Sequence, residues 1–182
     1  MGSEYCHRVE TQHLALVISA LSLTVAGLSL GWQIALWLLS AGRARGTLMY
    51  GVLNGPDALV GPVRKDGAGS NLADLRRQGF DGTAVIGIQV TNHGRAPVFV
   101  ETVKLAPRGG RMQLTPVAQL HGPDLPHKIE PGANAGWYTS VDHAVTLATS
   151  SREVLHESVS GVYMTADLGT GATVETKQTL RI

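Results

Sequence analysis

Apolar residues enter this chain in two patterns, one continuous and one alternating. Residues 14–41, LALVISALSLTVAGLSLGWQIALWLLSA, run 28 positions without a charge, against the roughly 20 that a helix needs to cross a ~30 Å hydrocarbon layer. No polar stripe recurs at helical period within the run, as it would in a core helix of a water-soluble protein. The segment therefore predicts a transmembrane helix. A cleaved secretory signal is the rival reading. Such signals have apolar cores of about 7–15 residues ahead of small residues, whereas this run is longer and ends in Trp37, Leu38 and Leu39.

The alternating pattern follows at once. A tail at 1–13, the helix at 14–41 and a linker at 42–46 leave residues 47–182 for one domain, which so short a linker sets on the membrane surface. In residues 83–92, TAVIGIQVTN, Ala84, Ile86, Ile88 and Val90 alternate with Val85, Gly87, Gln89 and Thr91, the period of a half-buried strand. A turn, HGRA, comes next, with Asn92 and Gly94 suited to positive φ. In 97–107 Val98 and Val100 set one inward parity and Val103 and Leu105 the other, so a bulge near Glu101 or Thr102 is expected. Further strands are read at 47–54, 111–118, 136–141, 158–167 and 173–181, the last two joined by LGTG, a hairpin composition.

Residues 55–82 read as a Gly/Asp/Pro-containing loop insertion with one short helix at 71–78, and 142–155 as a short helix or irregular crossover. The fold class expected is an N-terminal single transmembrane helix followed by a mainly-β domain. Seven short strands favour a seven-stranded antiparallel immunoglobulin-like sandwich, with a small β-barrel as the alternative. The Cys, Trp, Cys signature of antibody domains is absent, so Trp137 is not assigned the antibody core position.

Charge matters mainly for what it excludes. The chain carries 15 Lys or Arg against 14 Asp or Glu, and from Gly46 onward 12 against 12, so no nucleic-acid partner is expected. Cys6, the only cysteine, rules out an internal disulfide and a Cys-rich zinc site. Around the apolar run, Trp32 and Trp37 suit the headgroup level, with Arg43 and Arg45 beyond them, and the tail sets Arg8 against Glu4 and Glu10. The positive-inside rule then puts the β-domain in the cytoplasm, with the extracytoplasmic arrangement as the alternative. Ala20, Thr24, Gly27, Gly31 and Ala35 recur at spacings of four, three, four and four. A small-residue face of this kind suits self-association or docking of a membrane partner.

Candidate chemistry is sparse. His121, Asp124 and His127 in HGPDLPH have ligand-type side chains at three-residue spacing, but Pro123 and Pro126 mark an extended loop, and a zinc site needs rigid convergence. The pairs Asp142–His143 and His156–Glu157 diverge if they lie on strands. No Gly-x-Ser-x-Gly elbow occurs, and Gly109, Gly110, Gly169 and Gly171 fall in strand connections rather than ahead of a helix. Arg95, Lys104, Arg108 and Arg111 would cluster along one hairpin, as a solvated strand end or as a contact for anionic lipid or an acidic partner. No catalytic constellation and no cofactor site follow from these patterns.

The stretch VTNHGRAPVFV at 90–100, followed by LPHKIEPGANAGWY at 125–138, resembles a pattern of small membrane-anchored bacterial proteins of actinobacterial type with an immunoglobulin-like β-sandwich. Asn92, Gly94, Arg95 and Pro97 match the first turn. Leu125, Pro126, His127, Glu130, Pro131 and Gly132 match the second, and Gly31–Trp32–Gln33 matches the helix end. The chain departs from the pattern after Tyr138 and in the 55–82 insertion. The resemblance implies a membrane anchor and a sandwich, and no activity. The expected function is a single-pass, membrane-anchored β-sandwich that acts as a protein-interaction or assembly module. The alternatives are a metal-binding or hydrolytic domain using the 121–127 loop, and a membrane oligomer or small pore built through the helix.

Overall fold

The computed structural model describes residues 2–40, 42–55, 57–69, 71–117 and 120–182, with side chains of the first helix described over Ala15–Leu36. The chain divides into two compact units at Ala41 and Gly42. The first is one helix, α1 (Gly2–Ser40), which takes in the segment expected as a tail. Its span Ala15–Leu36 is long and apolar enough to cross a membrane, and leucines 16, 23 and 28 expose 67%, 75% and 70% of their surface. Thr24 Oγ1 donates to the Ala20 carbonyl at 2.8 Å, the local bond that lets a hydroxyl sit inside an apolar helix.

The second unit is mainly β, with two four-stranded antiparallel sheets. One has the order β2 (Asp57–Pro62), β1 (Ala44–Asn54), β3 (Thr83–Asn92), β6 (Asn134–Ser140). The other has β5 (His127–Ile129), β4 (Val98–Pro107), β7 (Val162–Leu168), β8 (Thr173–Glu175). Period-two alternation aims Leu48, Ile86, Ile88 and Trp137 from the first sheet, and Val100, Val103, Leu105 and Met164 from the second, into one core. Register explains the cluster: Ile88 stands opposite both Leu48 and Trp137. The middle of β3 is more than half-buried, because Val85 on its other face is 1% exposed.

Among the described residues three helices accompany the strands, two of them in this unit. α2 (Leu72–Arg77) is capped by Asn71, whose side chain accepts from the Ala73 amide, close to the bounds expected. α3 (Val141–Val154) starts at Ser140, whose Oγ accepts from the Asp142 amide at 3.1 Å. Ala144, Leu147, Ala148 and Ser151 are its buried residues, the i, i+3, i+4, i+7 stripe of an amphipathic helix. α3 carries the chain from β6 in one sheet to β7 in the other.

Several expectations are met in detail. The β4–β7 register shifts between Val100 and Thr102, the bulge that the parity change required. β7 and β8 pair antiparallel across LGTG, with Gly171 at φ +79°. Others need correction. Among the described residues the strands number eight, not seven. The 55–82 stretch contributes β2 as well as α2, because Asn54 and Asp57 face each other across a tight hairpin with Gly55 at φ +60°. β1 accepts this neighbour at Gly51, where a Cβ would strike the Leu59 carbonyl. Residues 111–117 form no strand: Leu114 alone bridges Leu105, by bonds of 2.8 and 2.9 Å, and Ala118 lies outside the described residues. The strand expected at 158–167 starts at Val162. The one expected at 173–181 stops at Glu175, though Leu180 rejoins Val162 through bonds of 2.8 and 2.9 Å.

The turn after β3 is also differently built. It is no hairpin, since β3 and β4 belong to different sheets, and neither Asn92 nor Gly94 has positive φ. The buried Asn92 side chain shapes it instead. Its Oδ1 accepts from the amides of Gly94 (2.9 Å) and Arg43 (3.3 Å). Its Nδ2 donates to the carbonyls of Ala96 (2.8 Å) and Ile129 (3.1 Å). One amide thereby ties the start of β1, the turn and the end of β5.

Candidate functional site

The 121–127 loop does not gather its ligand-type side chains. His127 turns inward on β5, its ring edge-on to Trp137 with centroids 5.9 Å apart. Trp137 is fully buried, and its Nε1 donates to the Pro123 carbonyl at 2.8 Å. His121 exchanges backbone bonds with Tyr138 at 2.7 and 2.8 Å, and Asp124 is exposed. The loop thus lids the core tryptophan and satisfies its indole, as a buried N–H requires. The ring of Tyr138, on the other face of β6, lies against Gly87 and Gly136, and its burial raises the phenol above its ordinary pKa. Among the described residues no three His, Cys, Asp or Glu side chains are placed to hold a metal ion.

The adjacent acid–histidine pairs are drawn apart by local structure. Asp142 accepts from Ser140 Oγ at the start of α3 (3.0 Å), while His143 Nδ1 meets Thr139 Oγ1 at 2.8 Å. Thr139 is fully buried, so its hydroxyl presents nothing to a substrate. Glu157 accepts from the Arg111 amide at 3.1 Å, and His156 occupies the left-handed region at φ 53°. Gly109 and Gly171, with positive φ, serve turns.

Three of the four basic residues read as a patch are ion-paired. Lys104 Nζ lies 2.6 Å from Asp167 on β7, and its hydrogen bond holds the Asp167 carboxyl below its ordinary pKa. Arg108 stacks over Tyr163 at 3.8 Å, faces Glu175 at 3.9 Å, and donates to Thr179 Oγ1 and the Thr176 carbonyl at 3.3 Å each. Arg111 faces Glu157 at 3.8 Å. Arg95 is exposed in the turn between the sheets. On α1, a Cβ at Gly27 or Gly31 would meet nothing within 4 Å, so that face is open. Trp32 is 67% exposed, and the Trp37 side chain lies outside the described residues. Arg43 enters the β-domain through its backbone, its carbonyl accepting from the His93 amide at 2.8 Å.

A different basic surface is assembled where the 64–68 turn meets the 176–181 segment. Lys65, Asp66, Gly67, Ser160, Lys177, Gln178, Thr179 and Arg181 line a cleft of about 510 Å³. A second hollow of about 360 Å³ shares Asp66, Gly67 and Arg181 and extends to Tyr50 and Gly69. The turn is closed by its own bonds: the Arg64 amide donates to the Ala68 carbonyl (3.0 Å), and Asp66 Oδ1 accepts from the Ala68 amide (3.0 Å). The Arg181 amide donates to the Gly67 carbonyl at 3.2 Å, and the Arg181 side chain lies over Gly67, where a Cβ would come within 2.9 Å of its Cγ. Tyr50 packs on Gly69; burial raises its phenol pKa, an effect that Arg76 opposes. Sequence reading missed this site because its cations are scattered from position 65 to position 181, and only the pairing of the C-terminal segment with Gly67 and Gly46 brings them together.

Comparison with family models, curated proteins and solved structures finds no match to this chain.

Proposed function

We propose that this chain is a single-pass membrane protein whose β-domain is an immunoglobulin-like sandwich serving as a protein-interaction or assembly module. The observation that carries the anchor is the Ala15–Leu36 span, whose large apolar side chains stand more than 40% exposed along α1. In water such a surface would be strongly unfavourable, and lipid is the solvent that suits it. The strand order supports the immunoglobulin-like reading. β1, β3 and β6 take the places of strands A, B and E, and β4, β7 and β8 those of C, F and G, with β5 beside β4 as C′ and β2 as an added edge. Arg43 and Arg45 after the helix favour a cytoplasmic domain.

Carbonate washing of native membranes tests the anchor: the chain stays with the membrane, and its release would overturn the reading. A membrane-impermeant thiol reagent on intact cells, with permeabilised cells as the reactivity control, tests orientation through Cys6. Labelling of intact cells is expected, and labelling only after permeabilisation would place the domain outside. Amine cross-linking in the same membranes gives discrete adducts through the domain lysines if it is an interaction module. A chain that stays monomeric under conditions that cross-link known assemblies would refute that role.

A further inference from the structure

We propose that the cleft between the 64–68 turn and the 176–181 segment binds a phosphate-type oxyanion, carried by a lipid headgroup or by a small soluble phosphate. Three cations, Lys65, Lys177 and Arg181, line it against one carboxylate, Asp66. That carboxylate is already engaged by the Ala68 amide. Among the described residues none of the three cations lies within 4.0 Å of a carboxylate, whereas Lys104, Arg108, Arg111 and Lys128 all do. Three cations against one engaged carboxylate leave this cleft with net positive charge where the surface is concave, and a low-dielectric wall concentrates the field that an anion meets there.

The walls are held before any ligand arrives. Arg108 reaches Thr179 Oγ1 and the Thr176 carbonyl from behind, fixing the stretch that carries Lys177. Its carbonyl also accepts from the Ser160 hydroxyl at 3.3 Å and the Ser160 amide at 3.1 Å, placing that side chain on the rim. Arg181 is laid over Gly67, which has no Cβ to displace it. A guanidinium, two ammonium groups and the Thr179 hydroxyl, whose oxygen accepts from Arg108 and whose O–H is left to donate, match the several oxygens of a phosphate, which accept hydrogen bonds and carry charge together. The lipid form of the proposal rests on the membrane anchor, and the soluble form does not.

The test uses the full chain in phosphatidylcholine nanodiscs, with acylation rates of individual lysines followed by mass spectrometry. In one arm inorganic phosphate is titrated against sodium chloride of matched ionic strength; in the other, phosphatidylglycerol replaces part of the lipid. Occupancy of about two thirds of the sites slows Lys65 and Lys177 by about threefold, while Lys104 and Lys128 keep their rates and report an intact fold. Protection by inorganic phosphate that R181Q abolishes supports the soluble source. Protection only in phosphatidylglycerol discs, again abolished by R181Q, supports the headgroup. Protection in neither arm, equal protection by chloride, equal slowing of Lys128, or protection that survives in R181Q overturns the proposal.

Discussion

Replacing Asn92 by Ala removes the amide that joins three segments of the β-domain, and the cost can be worked from its four bonds. The Ile129 carbonyl is the most deeply buried partner, and losing its donor costs about 1–3 kcal/mol. The Ala96 carbonyl and the amides of Gly94 and Arg43 are only partly buried, so water recovers part of each bond and the loss is about 1 kcal/mol apiece. A total of about 4–6 kcal/mol follows, a large share of the ~5–15 kcal/mol that holds a domain folded. Pulse proteolysis of the full chain in mild detergent across a urea series measures it. The midpoint should fall by more than about 1 M, given a urea slope of about 1–3 kcal/mol per M.

Asn92→Asp separates bonding from shape. The carboxylate still accepts from Gly94 and Arg43 but faces the Ala96 and Ile129 carbonyls without a proton to donate, so its folded pKa must rise above the unfolded ~3.9. A raised acid is proton-bound in the folded state, so the variant loses stability as pH increases past ~4, whereas Asn92→Ala loses the same amount at every pH. A midpoint for Asn92→Ala close to that of the parent chain, or an Asn92→Asp variant equally stable at pH 4 and pH 7, would refute the reasoning.

Two further predictions concern the core lid and the surface. Trp137→Phe removes the bond to the Pro123 carbonyl and leaves space under the 121–127 loop, which should cost about 2–4 kcal/mol and speed hydrogen exchange at the His121 amide; a loss below about 1 kcal/mol with unchanged exchange counts against the lid. Lys104→Met removes the partner that depresses Asp167. Because the folded pKa is lowered, the pair's contribution is present above the unfolded pKa and lost as pH falls through the folded value. The parent should therefore exceed the variant by about 0.2–1 kcal/mol near neutrality, a difference that vanishes in acid, and a difference that persists in acid would assign the effect to packing.

Where pattern and structure agree, the information is local. β3 occupies 83–92 as its alternation requires, and the parity change from Val100 to Val103 foretells the bulge. Where they disagree, the deciding contact is distant. β2 has a turn signal in Asn54–Gly55, yet Gly61 and Pro62 make it read as a loop until β1 supplies the partner. Residues 111–117 alternate like a strand but find only Leu105 to pair with. β5 has three residues and depends on β4 alone. The sequence marks Asn92 for its backbone freedom, while the structure uses its side-chain amide. The cleft is illegible in the sequence because Lys65, Lys177 and Arg181 lie far apart along the chain and share one hollow through the bonding of the C-terminal segment to Gly67, which is a property of the fold.

The parallel bridge between Gly46 and Thr176 sets an order of events during synthesis. The helix that precedes Gly46 leaves the ribosome first, and 130 residues separate the two partners of that bridge. At about 5–20 residues per second, roughly 7–26 s elapse between them. Contacts this remote in sequence also form slowly once both partners are free. In the anchored reading proposed above, membrane insertion of the helix precedes closure of the β-domain, and the nascent domain spends its vulnerable interval tethered to a bilayer rather than diffusing among other unfolded chains.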